Sequence, residues 1–283
     1  MDPAALVRLA IITGIVLLVM SIGLSAPPGS IRSGFARPAA IGRAIIAMYL
    51  LFPLVAIALA LILPLQPFAR TALLALAVSP IVPVLPLKEQ KAGTRVDYAL
   101  ALQVAAALVA LVAAPVMAFV AGAVSGRSIP LDGMGMVRVI LLTIVIPLLA
   151  GIGIAALAPG LAARLVKPVQ IAGLVLVGGV LLLLLPKLAP LMLSVANLPT
   201  LAAIVIMIVA GMAIGHFMAG EPAGQRRGLA LATAARHPGV AIVLGIAAIE
   251  GDNQKLMAVV LLYLILSSLL PIPYLKRTRE LAA

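Results

Sequence analysis

Seven stretches of this chain contain no Asp, Glu, Lys or Arg: residues 9–31, 44–69, 98–126, 139–163, 168–186, 188–215 and 256–275. Each is long enough to cross about 30 Å of hydrocarbon as a helix rising about 1.5 Å per residue. A buried soluble helix could explain one such run, but not seven in one chain. With 64% of its residues hydrophobic and 10% charged, a soluble domain of this length could not cover its surface. The fold class is therefore read as all-α, a polytopic membrane protein.

The first apolar run passes through Met20–Ser25 without a small-residue cleavage site and leads into a second span, so it reads as a retained helix rather than a signal peptide. No polar stretch is long enough for an appended soluble domain. Cysteine is absent, which excludes disulfides, thiolate metal sites and cysteine nucleophiles. The net charge of +12 would point to nucleic acid in a soluble protein. Here most basic residues fall in short loops and mark topology, so the partner expected is the lipid bilayer and not nucleic acid.

Nine spans are expected, at about 5–25, 38–63, 70–91, 95–124, 135–158, 168–187, 198–219, 227–250 and 254–275. With the N-terminus outside, one set of loops holds 13 basic residues: Arg32, Arg37, Arg43, Lys88, Lys91, Arg95, Arg164, Lys167, Arg226, Arg227, Lys276, Arg277 and Arg279. The other set holds 6, namely Arg8, Arg70, Arg127, Arg138, Lys187 and Lys255, and Arg236 stays inside a span. The excess of Lys and Arg places the first set and the C-terminus in the cytoplasm of a multi-pass cell-membrane protein.

Two segments share a pattern. Residues 70–85 run from Arg70 through an Ala/Leu half-helix to Ser79-Pro80-Ile81-Val82-Pro83 and a second apolar half. Residues 227–244 run from Arg227 through a similar half-helix to Arg236-His237-Pro238-Gly239 and a second apolar half. The charge count puts Arg70 outside and Arg227 inside, so the two copies enter the membrane from opposite faces. Interrupted segments at corresponding places in inverted halves point to the binding site of a secondary transporter. Pro80 lies ten residues after Arg70, and Arg236 nine after Arg227. Both breaks then sit about 14–15 Å deep, near the bilayer centre. A proline inside a helix removes a donor and clashes with the preceding turn, and the freed groups need protein or water as partners.

Arg236 is the sharpest single signal. An arginine at a membrane helix centre costs about 2.5–3.5 kcal/mol on insertion scales, so it must face protein or water. It reads as a fixed cation beside an anionic substrate, against the alternative of a structural arginine satisfied by carbonyls freed at Pro80 or Pro83. His237 could relay a proton or only hydrogen-bond locally. The half-helices after the breaks, Ile81 to Leu87 and Gly239 to Gly245, would aim N-termini with unpaired N–H groups at an anion. Lys88 to Lys91 reads as a solvated helix end. Ser79, Thr233, Gln103, Thr143, Ser267 and Ser268 are the remaining polar residues within spans. Hydroxyls there commonly bond their own helix, whereas Gln103 should face another helix. The candidate substrate- and ion-binding set is Arg236, His237, Pro238, Gly239, Thr233, Ser79, Pro80, Pro83 and Gln103.

No enzyme constellation is present: no glycine-rich phosphate loop, no paired intramembrane carboxylates and no His/Cys cluster, so neither a catalytic nor a metal site is expected. Gly211-Met-Ala-Ile-Gly215 has the small-xxx-small spacing of close helix packing.

The chain resembles the bile acid:sodium symporter superfamily. The likeness is carried by Met20-Ser-Ile-Gly-Leu24, Phe52-Pro53, Ala77-Val-Ser-Pro80 through Lys91-Ala-Gly93, and Ala230-Leu-Ala-Thr-Ala-Ala-Arg-His-Pro-Gly-Val-Ala241. The resemblance implies a core domain with two crossing discontinuous helices, a separate panel domain, and organic-anion transport by movement of panel against core. It divides the single transmembrane domain, residues 1–283, into a four-helix repeat at 5–124 and a five-helix repeat at 135–275. Family sodium sites use Ser/Asn after the first break, Ser/Thr in the next helix and Glu/Gln before the second break. Here 81–87 has no polar side chain, the 95–124 helix offers only Gln103 in its apolar part, and Ala232 and Arg236 stand at the Glu and Gln positions. Few of the family's sodium ligands are therefore matched here, and Arg236 is expected to stand in for a bound sodium. No cofactor is expected, and the coupling ion is left open between Na+ and H+.

A non-transporting membrane sensor or assembly protein of the same fold, and a channel, are the competing readings. Inverted breaks favour a transporter, since alternating access needs two pseudo-equivalent gates. A channel would need a polar pore lining that few of these spans offer.

Overall fold

A computed structural model describes residues 3–27, 29–82, 85, 89, 92–124, 133–220, 222–249 and 251–280. All regular structure among them is helical. Seven helices are long and apolar enough to cross a membrane, and Leu9–Leu24, Pro67–Val78 and Leu185–Val195 add shorter apolar helical stretches. The chain is a multi-pass membrane protein.

Helix α1 spans Pro3–Leu24, followed by the short α2, Ser30–Phe35. Helix α3 runs Pro38–Ile46, passes a π turn at Ala47–Leu51 and resumes as Phe52–Ile62. Pro53 explains the widened turn. In the π turn the Phe52 N–H reaches back to the Ala47 carbonyl. Continuing that register, the Met48 carbonyl would need a donor from residue 53, and proline has none. One buried carbonyl is thereby left for another partner. Helix α4 is Pro67–Val78 and α5 is Val96–Val124. Helix α6 repeats the same device, running Gly133–Ile140, a π turn at Leu141–Val145 and then Ile146–Leu157, with Pro147 just beyond the turn. The rest are α7 Pro159–Val195, α8 Leu198–Ala219, α9 Ala223–Ala234, α10 Pro238–Ala247, α11 Asn253–Leu269 and α12 Pro271–Glu280.

The expected span at 168–187 is part of a longer rod. Helix α7 is continuous over 37 residues, about 55 Å at the usual rise, with Pro168, Pro186 and Pro190 inside it. Arg164 and Lys167, assigned to a loop by their charge, lie in its opening turns. A helix longer than the hydrocarbon is thick can carry charges on turns that project beyond it. Likewise Arg226 and Arg227 sit within α9, and Arg138 within α6.

Helices α1, α6 and α7 form one group. Glycines permit their contact: a Cβ at Gly23 would strike the Leu148 carbonyl, one at Gly151 the Met20 carbonyl, and one at Gly14 would sit 2.7 Å from the Val177 side chain. The remaining long helices surround the main buried core, in which α4, α10 and α11 pack together. Gly211 and Gly215 act as their spacing implies. A Cβ at Gly211 would lie 2.7 Å from the Phe52 ring, and one at Gly215 would strike the Leu229 carbonyl.

Candidate functional site

Helix α4 stops at Val78, and Ser79 is extended at φ −71°, ψ 150°. Helix α9 stops at Ala234, and Ala235 is extended at φ −90°, ψ 120°. Both interruptions fall where the prolines and Arg236 placed them. They meet: the His237 backbone N–H donates to the Pro80 carbonyl over 2.8 Å. Each break thus satisfies part of what the other leaves open, as buried backbone groups require.

The Arg236 side chain, 1% exposed, lies across this junction. One terminal nitrogen donates to the Ser79 carbonyl at 3.2 Å, and the other to the Met48 carbonyl at 2.8 Å. Met48 is the residue whose carbonyl the π turn before Pro53 leaves without a helical donor. The guanidinium carbon sits 4.2 Å from the Phe52 ring centroid and 6.0 Å from that of Tyr49, where the aromatic faces favour a cation. Its Nε–H is buried without a hydrogen-bond partner. Among the described residues no carboxylate forms an ion pair with it. The site therefore holds a positive charge that backbone dipoles and ring faces solvate but do not neutralise.

His237 caps the next half-helix. Its Nδ1 accepts from the Val240 N–H at 3.3 Å, ahead of Pro238 at the first helical position. A capping Nδ1 assigns the ring proton of the neutral imidazole to Nε2, which is buried without a partner. Gly239 lies under this ring: a Cβ there would come within 3.2 Å of His237 Cε1.

Ser79 and Thr233 are fully buried, but their hydroxyls bond their own helices, to the Leu76 carbonyl at 2.9 Å and the Leu229 carbonyl at 2.8 Å. Ser79 joins the site through its backbone instead. Gln103 is buried with its Oε1 unpartnered, and it makes no hydrogen bond to Arg236. Pro83 lies outside the described residues, as does most of the half-helix expected after the first break. Sequence reasoning missed Met48, Tyr49 and Tyr263. The Tyr263 hydroxyl donates to the Ala234 carbonyl at 2.7 Å, closing the end of α9, and the Tyr49 hydroxyl donates to the Ala106 carbonyl at 2.7 Å. Pro53 was the available signal for Met48, because a proline four or five residues beyond a carbonyl predicts that the carbonyl must look elsewhere.

A model of the sodium bile acid symporter family matches residues 12–189, well over half of the chain. The chain belongs to the sodium bile acid symporter family. It is accordingly a membrane transporter by family, and the family's members are transporters rather than enzymes. The match includes Phe52-Pro53 and the first break, whereas Arg236 lies beyond it. No curated protein matches the chain. In this symporter-family protein the matched part contributes the Met48 and Ser79 carbonyls, and the segment after it contributes the cation they hold.

Proposed function

We propose that this protein is a secondary active transporter of a small organic anion, working by alternating access, with Arg236 as the fixed charge that attracts the anion and with no requirement for sodium. The observation that carries the reading is the guanidinium at the meeting point of the two breaks. It takes carbonyls from two different helices and leaves its Nε–H without a partner. A sodium ion would seek oxygen ligands of that kind, and here a tethered cation already engages two of them. Unlike an ion, it cannot leave, so a cycle built around it needs no sodium gradient to charge the site. Helix α10 strengthens the same sign of potential, because its N-terminus points into the junction beside Arg236. The basic ends of the spans support an orientation with the C-terminus in the cytoplasm of the cell membrane.

The test is a thermal-shift screen of purified protein against small organic anions, with and without sodium and at two pH values, followed by uptake of the best ligand into proteoliposomes. Anion-specific stabilisation and sodium-independent uptake, both lost in Arg236→Ala, are expected. Uptake that requires sodium and survives Arg236→Ala overturns the reading.

A further inference from the structure

The first interrupted segment ends in a second unusual group. Glu89, expected in a solvated helix end, is instead 1% exposed, and its Oε1 has no hydrogen-bond partner. The carboxylates of Asp97 and Asp252 pair instead with Arg95 at 2.6 Å and Lys255 at 2.9 Å. Tyr98, at the start of α5, is 3% exposed, and its hydroxyl is also without a partner. Tyr98 follows by one helical turn Thr94, whose N–H donates to the Glu89 carbonyl at 3.0 Å, so the two residues lie at the same end of α5. Two buried oxygens with unmet hydrogen-bonding capacity, one of them acidic, thus share one neighbourhood.

Among the described residues no cation forms an ion pair with the acid. Arg43 of α3 lies against Gly220. Arg227 of α9 lies against Gly93 and donates to the Thr278 carbonyl of α12 at 2.8 Å. Neither forms an ion pair with Glu89. A carboxyl oxygen buried without a hydrogen-bond partner, as Oε1 is, is better accommodated with a proton on the group than without it.

The backbone around Glu89 is tied to both interrupted segments. Its carbonyl accepts from the Ala92 and Thr94 N–H groups at 3.0 Å each. The Thr94 hydroxyl donates to the Gly224 carbonyl at 2.8 Å, and Gly224 packs directly on the Gly93 carbonyl. Thus the turn after Glu89 is clamped to the opening of α9, whose far end carries Arg236. A shift of either segment alters what encloses the carboxyl group.

We infer that Glu89 is a proton-binding site of the transport cycle, holding its proton beside Tyr98 when enclosed and releasing it to water when the segments move apart. The step is a simple dissociation: the O–H bond of the carboxyl group breaks, the proton goes to water and the electron pair stays on Oε1. It deepens the transport reading by naming the coupling ion, since an anion drawn to Arg236 then travels with a compensating proton. Arg236 and the buried acid would divide the work of attraction and coupling.

The proton itself is the probe. Infrared difference spectra of the full-length protein in liposomes, taken from mildly acidic to mildly alkaline pH, read the C=O stretch of a protonated carboxyl group. A titrating band is expected in the wild type. It should be absent in Glu89→Gln and shifted in frequency in Tyr98→Phe, which removes the neighbouring hydroxyl. Gel filtration and thermal melting check that both variants fold. A band unchanged by Glu89→Gln, one that persists at every pH, or no band at all overturns the inference. Arg236→Ala should leave the band in place while losing anion binding, so the failure of one reading is separable from that of the other. A pH jump across proteoliposomes should also displace charge in the wild type and not in Glu89→Gln.

Discussion

The Met48 carbonyl and the Arg236 guanidinium are 2.8 Å apart, and the proline that follows Met48 by five residues is the reason. Pro53 withholds the donor that the π register would offer, and the arginine supplies it from another helix. Backbone irregularity in α3 and side-chain charge beyond α9 are therefore one feature seen from two sides.

Arg236→Ala should destabilise the protein as well as abolish anion binding. It strips donors from two buried carbonyls, each loss costing about 1–3 kcal/mol. Arg236→Lys keeps the charge but not the planar fork, so it should recover anion-induced stabilisation only in part. Thermal melting with and without the screened anion separates the two effects. A lysine variant equal to wild type in both would refute the role of the fork.

Pro53→Ala restores an N–H to the turn facing Met48. The carbonyl then gains a competing donor, and the Arg236 contact should weaken by about 1 kcal/mol. The expected signature is lower anion affinity with little loss of melting temperature, read by titrating the thermal shift. An unchanged affinity would mean the π turn does not tune the site.

Tyr263→Phe removes the hydroxyl that closes α9 at the Ala234 carbonyl. It should cost about 1–3 kcal/mol, because a buried acceptor at a helix end is left bare. Chemical or thermal unfolding in mild detergent measures this. No destabilisation would show that another donor reaches Ala234.

Glycine substitutions should separate contact from open space. Gly215→Ala places a methyl group against the Leu229 carbonyl and 2.6 Å from the Ala230 Cα, so α8 and α9 must move apart at a cost of about 1–3 kcal/mol. Gly178→Ala meets nothing within 4 Å and should be neutral or stabilising by up to about 1 kcal/mol. Melting temperatures in the order Gly178→Ala, wild type, Gly215→Ala are expected, and any other order contradicts the packing described.

Much of the architecture was legible because a bilayer leaves few options. The charge-free runs gave the helices, and the proline breaks at Pro80 and Pro238 appear where α4 and α9 end. Helix ends were less legible: Arg164 and Lys167 marked a loop in the sequence yet ride on α7, because charge reports the edge of the hydrocarbon and not the end of the hydrogen-bond ladder. The site was half legible. Arg236 stood out by its cost, and the hydroxyls of Ser79 and Thr233 bond their own helices as hydroxyls within spans commonly do, but that Ser79 and Met48 would serve through their carbonyls is not written in any spacing.

The amino-acid order alone pointed to a chain that crosses a membrane repeatedly, interrupts two of its helices and buries Arg236, since hydrocarbon penalises an exposed charge within a span. Only the tertiary structure decided who solvates that arginine. Its carbonyl partners lie 157 and 188 residues away along the chain, and contacts at that separation are fixed by how the helices pack rather than by any local pattern.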